Sequence, residues 1–114
     1  MRFYCEDKTL DIGVGDVVFL PQGKPHAFTC TSSFVRTLIL VQATGKDAVA
    51  LDSYFLTMGE PTESMVLPDS AMTYAFDNPQ HAIRVGASTG LRILSPSETQ
   101  IVLPQYPGFG VPVR

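Results

Sequence analysis

Gly15-Asp-Val-Val-Phe-Leu-Pro21-Gln-Gly23-Lys-Pro-His26-Ala-Phe28 is the stretch on which the fold turns, and it reads as strand, tight turn, strand. Val17, Val18, Phe19 and Leu20 form a short run of β-formers bounded by Gly15 and Pro21, the pattern of a strand buried on both faces. Pro21 and Pro25 bring no backbone N–H to a ladder and Gly23 takes a positive φ freely, so Pro21 to Pro25 is a turn. His26 then opens the returning strand. Rigid backbone at that point aims its imidazole into whatever the sheet encloses.

Upstream, Arg2 to Glu6 and Thr9 to Ile12 are short segments separated by the polar pair Asp7-Lys8, which predicts a tight hairpin with a polar outer face. Gly13-Val-Gly15 turns the chain into the next strand. A Gly-x-Gly that opens a strand offers no helix N-terminus, so it has no phosphate-binding reading. Downstream, Ser32-Ser33 breaks the chain before Phe34-Val-Arg-Thr-Leu-Ile-Leu-Val41, which alternates and then becomes continuously apolar. This pattern predicts a long strand running from a half-exposed rim to mid-sheet, with Arg36 on the solvent face or, in the alternative, turned inward towards an anionic ligand.

From Thr44 the period changes. Ala48, Leu51, Phe55 and Met58 fall on one helical face, Thr44 is placed to cap the start, and Gly59 with Pro61 ends the helix. Glu60 to Phe76 has no sustained period and reads as mostly loop, either a flap with Met65, Met72, Tyr74 and Phe76 on its underside or a segment whose regular structure its pattern does not announce. Asp77-Asn78-Pro79 starts a second helix that reaches about Thr89 and stops at Gly90. Leu91 to Leu94 reads as extended and ends at Pro96. The remaining 97–114 is a proline-rich extended tail.

At its turn the opening stretch resembles the second signature of the cupin superfamily: Gly, five residues, Pro-x-Gly, two residues, His, three residues, Asn. Gly15, Pro21, Gly23 and His26 match at every spacing, and Cys30 stands where the family has Asn. Over Phe3 to Pro96 the chain is most similar to the single-domain, quercetin-dioxygenase-like branch. The resemblance implies a mainly β fold, a partial cupin jelly-roll barrel with a C-terminal helical extension. It divides the chain into barrel portion 1–43, helical and loop extension 44–96 and tail 97–114, all one domain. The family's earlier motif, His-x-His with a Glu, has no counterpart before Gly15. The expectation is therefore a chain that starts just downstream of those ligands, with Met1 an internal methionine of a longer ancestor.

Composition bounds the rest. The chain has 114 residues and is 45% hydrophobic, enough for one core of ordinary size. A net charge of −3 with 8 Lys and Arg gives no electrostatic footprint for nucleic acid or anionic membrane. No apolar stretch approaches the ~18 residues of a membrane span, and Met1-Arg-Phe-Tyr-Cys-Glu6 lacks a signal-peptide core, so the expectation is a cytoplasmic protein. Cys5 and Cys30 form no Cys-x-x-Cys pair and read as small buried hydrophobes. Period-two alternation gives Cys30 a second reading as a pocket thiol on the His26 side of its strand.

Two functions follow. The resemblance implies a metal-dependent dioxygenase or other oxidoreductase, or an isomerase, acting on a small aromatic or polyketide-like molecule of secondary metabolism. In that reading His26 is the metal ligand or general base, and Phe19, Phe28, Cys30 and Leu40 line the substrate pocket. The alternative is a non-catalytic small-molecule-binding or remnant cupin domain that has lost its metal. The chain has two histidines, and His81 reads as a surface residue of the second helix. A divalent ion (Fe, Mn, Ni, Cu or Zn) is therefore expected to be weakly held or absent unless Glu6, Cys30 or a second subunit adds donors. Strands left without neighbours predict a homodimer.

Overall fold

The computed structural model describes residues 1–42, 51–66 and 78–108. They contain three short strands, β1 (Arg2–Cys5), β2 (Lys8–Asp11) and β3 (His26–Thr29), and three helices, α1 (Leu51–Met58), α2 (Pro79–Ser88) and α3 (Pro96–Val102). The chain divides into two compact units: Met1–Leu38 together with the segment from Pro96 onward, and Ile39–Ser95.

In the first unit the strands form one antiparallel sheet in the order β2-β1-β3. Arg2 pairs with Asp11 and Cys5 with Lys8 on one side of β1, while Arg2 pairs with Thr29 and Cys5 with His26 on the other. Glu6 and Asp7 make the β1–β2 turn, one residue earlier than the sequence predicts, and Glu6 takes φ 54. Arg2 grips Asp11 with two charge-assisted bonds, Nε to Oδ1 at 2.6 Å and Nη2 to Oδ2 at 2.9 Å. That bond holds the Asp11 carboxyl below its usual range. The N-terminal ammonium extends the same edge, donating to Ile12 O at 3.1 Å and Thr31 Oγ1 at 2.9 Å.

Strand alternation divides the sheet into two faces. Arg2, Tyr4, Thr9, Asp11, Ala27 and Thr29 share one; Phe3, Cys5, Lys8, Leu10, His26 and Phe28 share the other. The first is the covered face. Tyr4 is 3% exposed, and Tyr106 packs edge-on against it with ring centroids 5.2 Å apart. Such a pair adds about 0.5–1.5 kcal/mol beyond the area it buries. Burial raises the Tyr106 hydroxyl above its ordinary pKa. Two further contacts hold the C-terminal segment: Leu103 is 1% exposed, and the Gln105 amide donates to Glu6 O at 2.6 Å.

The predicted jelly roll is not present. The open three-stranded sheet with three helices is neither a barrel nor mainly β. Two of the expected strands, Asp16–Leu20 and Phe34–Val41, carry no regular secondary structure. Many of their apolar side chains face outward, Val17 at 93% exposure, Phe19 84%, Leu38 86% and Leu40 83%, while Val18, Leu20 and Val35 are half-buried. A run of β-formers becomes a strand only where a neighbour accepts its hydrogen bonds, and these runs meet none among the described residues. The turn before His26 forms as read, with Lys24 N–H donating to Pro21 O at 3.3 Å and Gly23 at φ 77, but it joins β3 to an irregular segment. The ladder partner of β3 is β1, more than 20 residues back.

In the second unit α1 packs on α2, and no barrel is present for the expected helical extension to cover. The expected cap Thr44 and face residue Ala48, with Met72, Tyr74 and Phe76 of the expected flap, lie outside the described residues. The start of α2 is as read: Asn78 Oδ1 accepts the His81 N–H at 3.0 Å and Pro79 occupies the first turn. Helix α3 replaces the beginning of the expected extended tail. Its cues are Pro96 at the first helical position and Glu98 in the first turn.

Gly86 is a tight joint of the second unit. It lies buried in α2, its carbonyl accepts the Leu91 N–H at 2.8 Å, and a Cβ there would sit 2.7 Å from Leu91 O and 3.1 Å from Ile93 Cδ1. Alanine would gain about 1 kcal/mol of helix propensity. Overpacking against a backbone oxygen costs about 1–3 kcal/mol, so Gly86→Ala is expected to destabilise the protein overall. Urea unfolding checks the sign: an unchanged or higher midpoint contradicts the packing argument.

Candidate functional site

His26 is the first residue of β3, delivered there by the Pro21–Lys24 turn. It is exposed and directly opposite Cys5 of β1. The hydrogen bonding of this ladder decides how close the two are. Glu6 N–H donates to Pro25 O, so the bonded pairs alternate from Glu6 and Pro25, and Cys5–His26 and Phe3–Phe28 are non-hydrogen-bonded pairs. Side chains approach most closely at such positions, with Cα atoms about 4.5 Å apart. The Phe3 and Phe28 rings accordingly meet at 5.6 Å, tilted by 41°.

His26 Nδ1 lies 3.3 Å from the Lys24 carbonyl oxygen. A carbonyl only accepts, so Nδ1–H is the donor in this contact, and in the neutral imidazole Nε2 then carries the lone pair. Lys24 ties this turn to the β1–β2 turn through Nζ to Glu6 Oε1 at 2.8 Å. The ammonium is held above the ordinary lysine range, first by the hydrogen bond to Glu6, then by the Glu6 charge, and also by Cys5.

Of the residues the sequence nominates, His26 and Phe28 come together on the uncovered face, Phe28 at 51% exposure. Phe19 and Leu40 lie outside the sheet, at 84% and 83% exposure, and Cys30 is exposed one residue beyond β3. Arg36 is exposed, with its guanidinium 5.8 Å from the Phe34 ring centroid. His81 is an exposed residue of the first turn of α2. Cys5, read from sequence as a small buried hydrophobe, is half-buried and is the residue that sequence reasoning missed. Its position opposite His26 follows from β1 pairing with β3, a contact no local spacing announces.

Among the described residues no three of His, Cys, Asp and Glu converge as metal ligands. No helix among them is long and apolar enough to cross a membrane. A recess of about 240 Å³ lies in the second unit, lined by Ile83, Ala87, Gly90, Leu91, Arg92 and Ile93. It contains none of the nominated residues and is smaller than the roughly 300–1,000 Å³ usual for ligand pockets.

The raised Lys24 pKa sets a pH window. Stabilisation from the Lys24–Glu6 pair is fully present below the unfolded lysine pKa and is lost as pH rises through the higher folded value. Both side chains are half exposed, so the effect is small. Lys24→Met is expected to flatten the decline in urea midpoint that sets in above about pH 10. An identical alkaline slope in the variant contradicts this.

Comparison with protein-family models, with curated proteins and with solved structures finds no match to this chain.

Proposed function

We propose that the chain binds a small, flat, apolar or aromatic molecule on the uncovered face of its sheet, as a non-catalytic binding domain. The observation that carries this reading is the one-sided burial of the sheet. Tyr4 on one face is 3% exposed, while Leu10 and Phe28 on the other are 41% and 51% exposed beside the Phe3 ring. Two tilted aromatic rings offer a stacking surface of high contact area and little rotamer entropy to lose. His26, at the end of that surface, supplies one polar group for orientation. Binding is favoured over oxygen chemistry by the donor set. The ladder brings one thiol opposite His26, short of the two or three histidines and carboxylate that oxygen-activating sites use.

Titration of the labelled protein with 1-naphthol, followed by amide NMR shifts, tests the reading. The shifts are expected at Phe3, Leu10, His26 and Phe28, and Phe28→Ala is expected to weaken binding roughly two- to twelvefold, the loss of one aromatic pair. Shifts confined to the α2 recess, or turnover of the probe with dioxygen and added Fe(II), would displace it.

The same reading includes a second copy of the chain. Phe34, Leu38, Ile39, Leu40 and Val41 are 49% to 86% exposed, a sequence run of apolar side chains that strand pairing with a second copy would cover. Arg36 is the single charge between Phe34 and Val41. Antiparallel pairing about a two-fold axis at Leu38 would set Arg36 opposite Leu40 of the second copy, so like charges do not meet. Light scattering across a dilution series is expected to show twice 12.4 kDa. A monomer at every concentration rejects the dimer and leaves the small-molecule surface standing.

A further inference from the structure

The uncovered face carries a thiol–imidazole pair of which the small-molecule reading uses the imidazole alone. Cys5 and His26 are opposite one another at a non-hydrogen-bonded position, where cross-strand side chains lie closest. Cys5 is half-buried and His26 exposed, so the pair is accessible from one side. The Lys24 carbonyl lies 3.3 Å from Nδ1, a contact that favours the neutral tautomer with its proton on Nδ1 and its lone pair on Nε2. A backbone carbonyl on the far ring nitrogen is the usual outer partner of a metal-ligating histidine, because it fixes ring orientation and raises the basicity of the other nitrogen. Phe3 and Phe28 flank the pair on one side, and the Lys24–Glu6 bridge joins the turns beside it on the other.

We propose that Cys5 Sγ and His26 Nε2 form a two-coordinate site for a soft monovalent metal ion of the Cu(I) class. Donor number and softness select the ion. Zinc in a protein site takes four ligands and iron in an oxygenase three or more, whereas Cu(I) is satisfied by one thiolate and one imidazole in near-linear arrangement. Binding forms one Cu–S and one Cu–N bond and releases the Cys5 thiol proton to solvent. The metal arrives and stays as Cu(I), so no electron is transferred. Cys30 is no third ligand: four residues along the strand from His26, it lies about 13 Å away. The site is independent of the small-molecule reading, since it needs neither an aromatic ligand nor a second copy.

The test is an anaerobic titration of the reduced full chain carrying Cys30→Ser, with Cu(I) supplied in competition with the chromophoric chelator bicinchoninate. X-ray absorption is recorded on the product. One Cu(I) per chain is expected to leave the chelator, with one sulfur and one nitrogen neighbour at the metal. Adding Cys5→Ser or His26→Ala is expected to abolish that transfer. His26 is exposed, so the His26→Ala protein keeps its circular dichroism and separates ligand loss from misfolding. No transfer in the parent, transfer undiminished by His26→Ala, or a metal with sulfur neighbours alone overturns the proposal.

Discussion

The ladder on both sides of β1 is the constraint from which the first unit takes its geometry. A central strand hydrogen-bonded to two neighbours cannot slip by one residue without exchanging every side chain between the faces. Here that rule holds Tyr4 under Tyr106 and leaves Phe3 and Cys5 outward. The Arg2–Asp11 bridge and the ammonium of Met1 secure one end of the register, and the Glu6–Pro25 bond with the Lys24–Glu6 bridge secures the other. None of these is worth much singly on an exposed surface. Together they leave one register in which all are made.

Local chemistry was legible in the sequence and non-local pairing was not. Pro21, Gly23 and Lys24 turn as their residue types require, and Asn78 and Pro79 start α2 for the same reason. The absence of helix between Phe3 and Val41 also follows from their short, turn-bounded runs. The jelly roll failed because it rests on which strand lies beside which. Val17 to Leu20 and Phe34 to Val41 have the composition of buried strands, but composition states only what a segment would do if a neighbour were supplied. The α3 cues, Pro96 and Glu98, were present and were outweighed by the prolines that follow.

The candidate site divides the same way. His26 was found because the turn that delivers it is written in adjacent residues, and Phe28 because it lies two positions along the same strand. Cys5 was missed because it faces His26 only through a β1–β3 pairing 21 residues apart in sequence. Phe19 and Leu40 were assigned to a pocket by analogy with a closed barrel. Without the barrel they have no wall to form.

The first unit is assembled from two pieces of chain separated by the whole of the second. Gln105 reaches Glu6 across 99 residues, and Tyr106 reaches Tyr4 across a comparable span. Closing a flexible loop of that length costs about 4 kcal/mol in chain entropy, less if the intervening unit is already compact. During synthesis from the N-terminus, Ile39–Ser95 can fold as one continuous stretch while the sheet still waits for its cover. The side chain of Tyr4 therefore stays in water until residues near Tyr106 have emerged. The order of residues along the chain and the order in which the sheet gains its burial are therefore different.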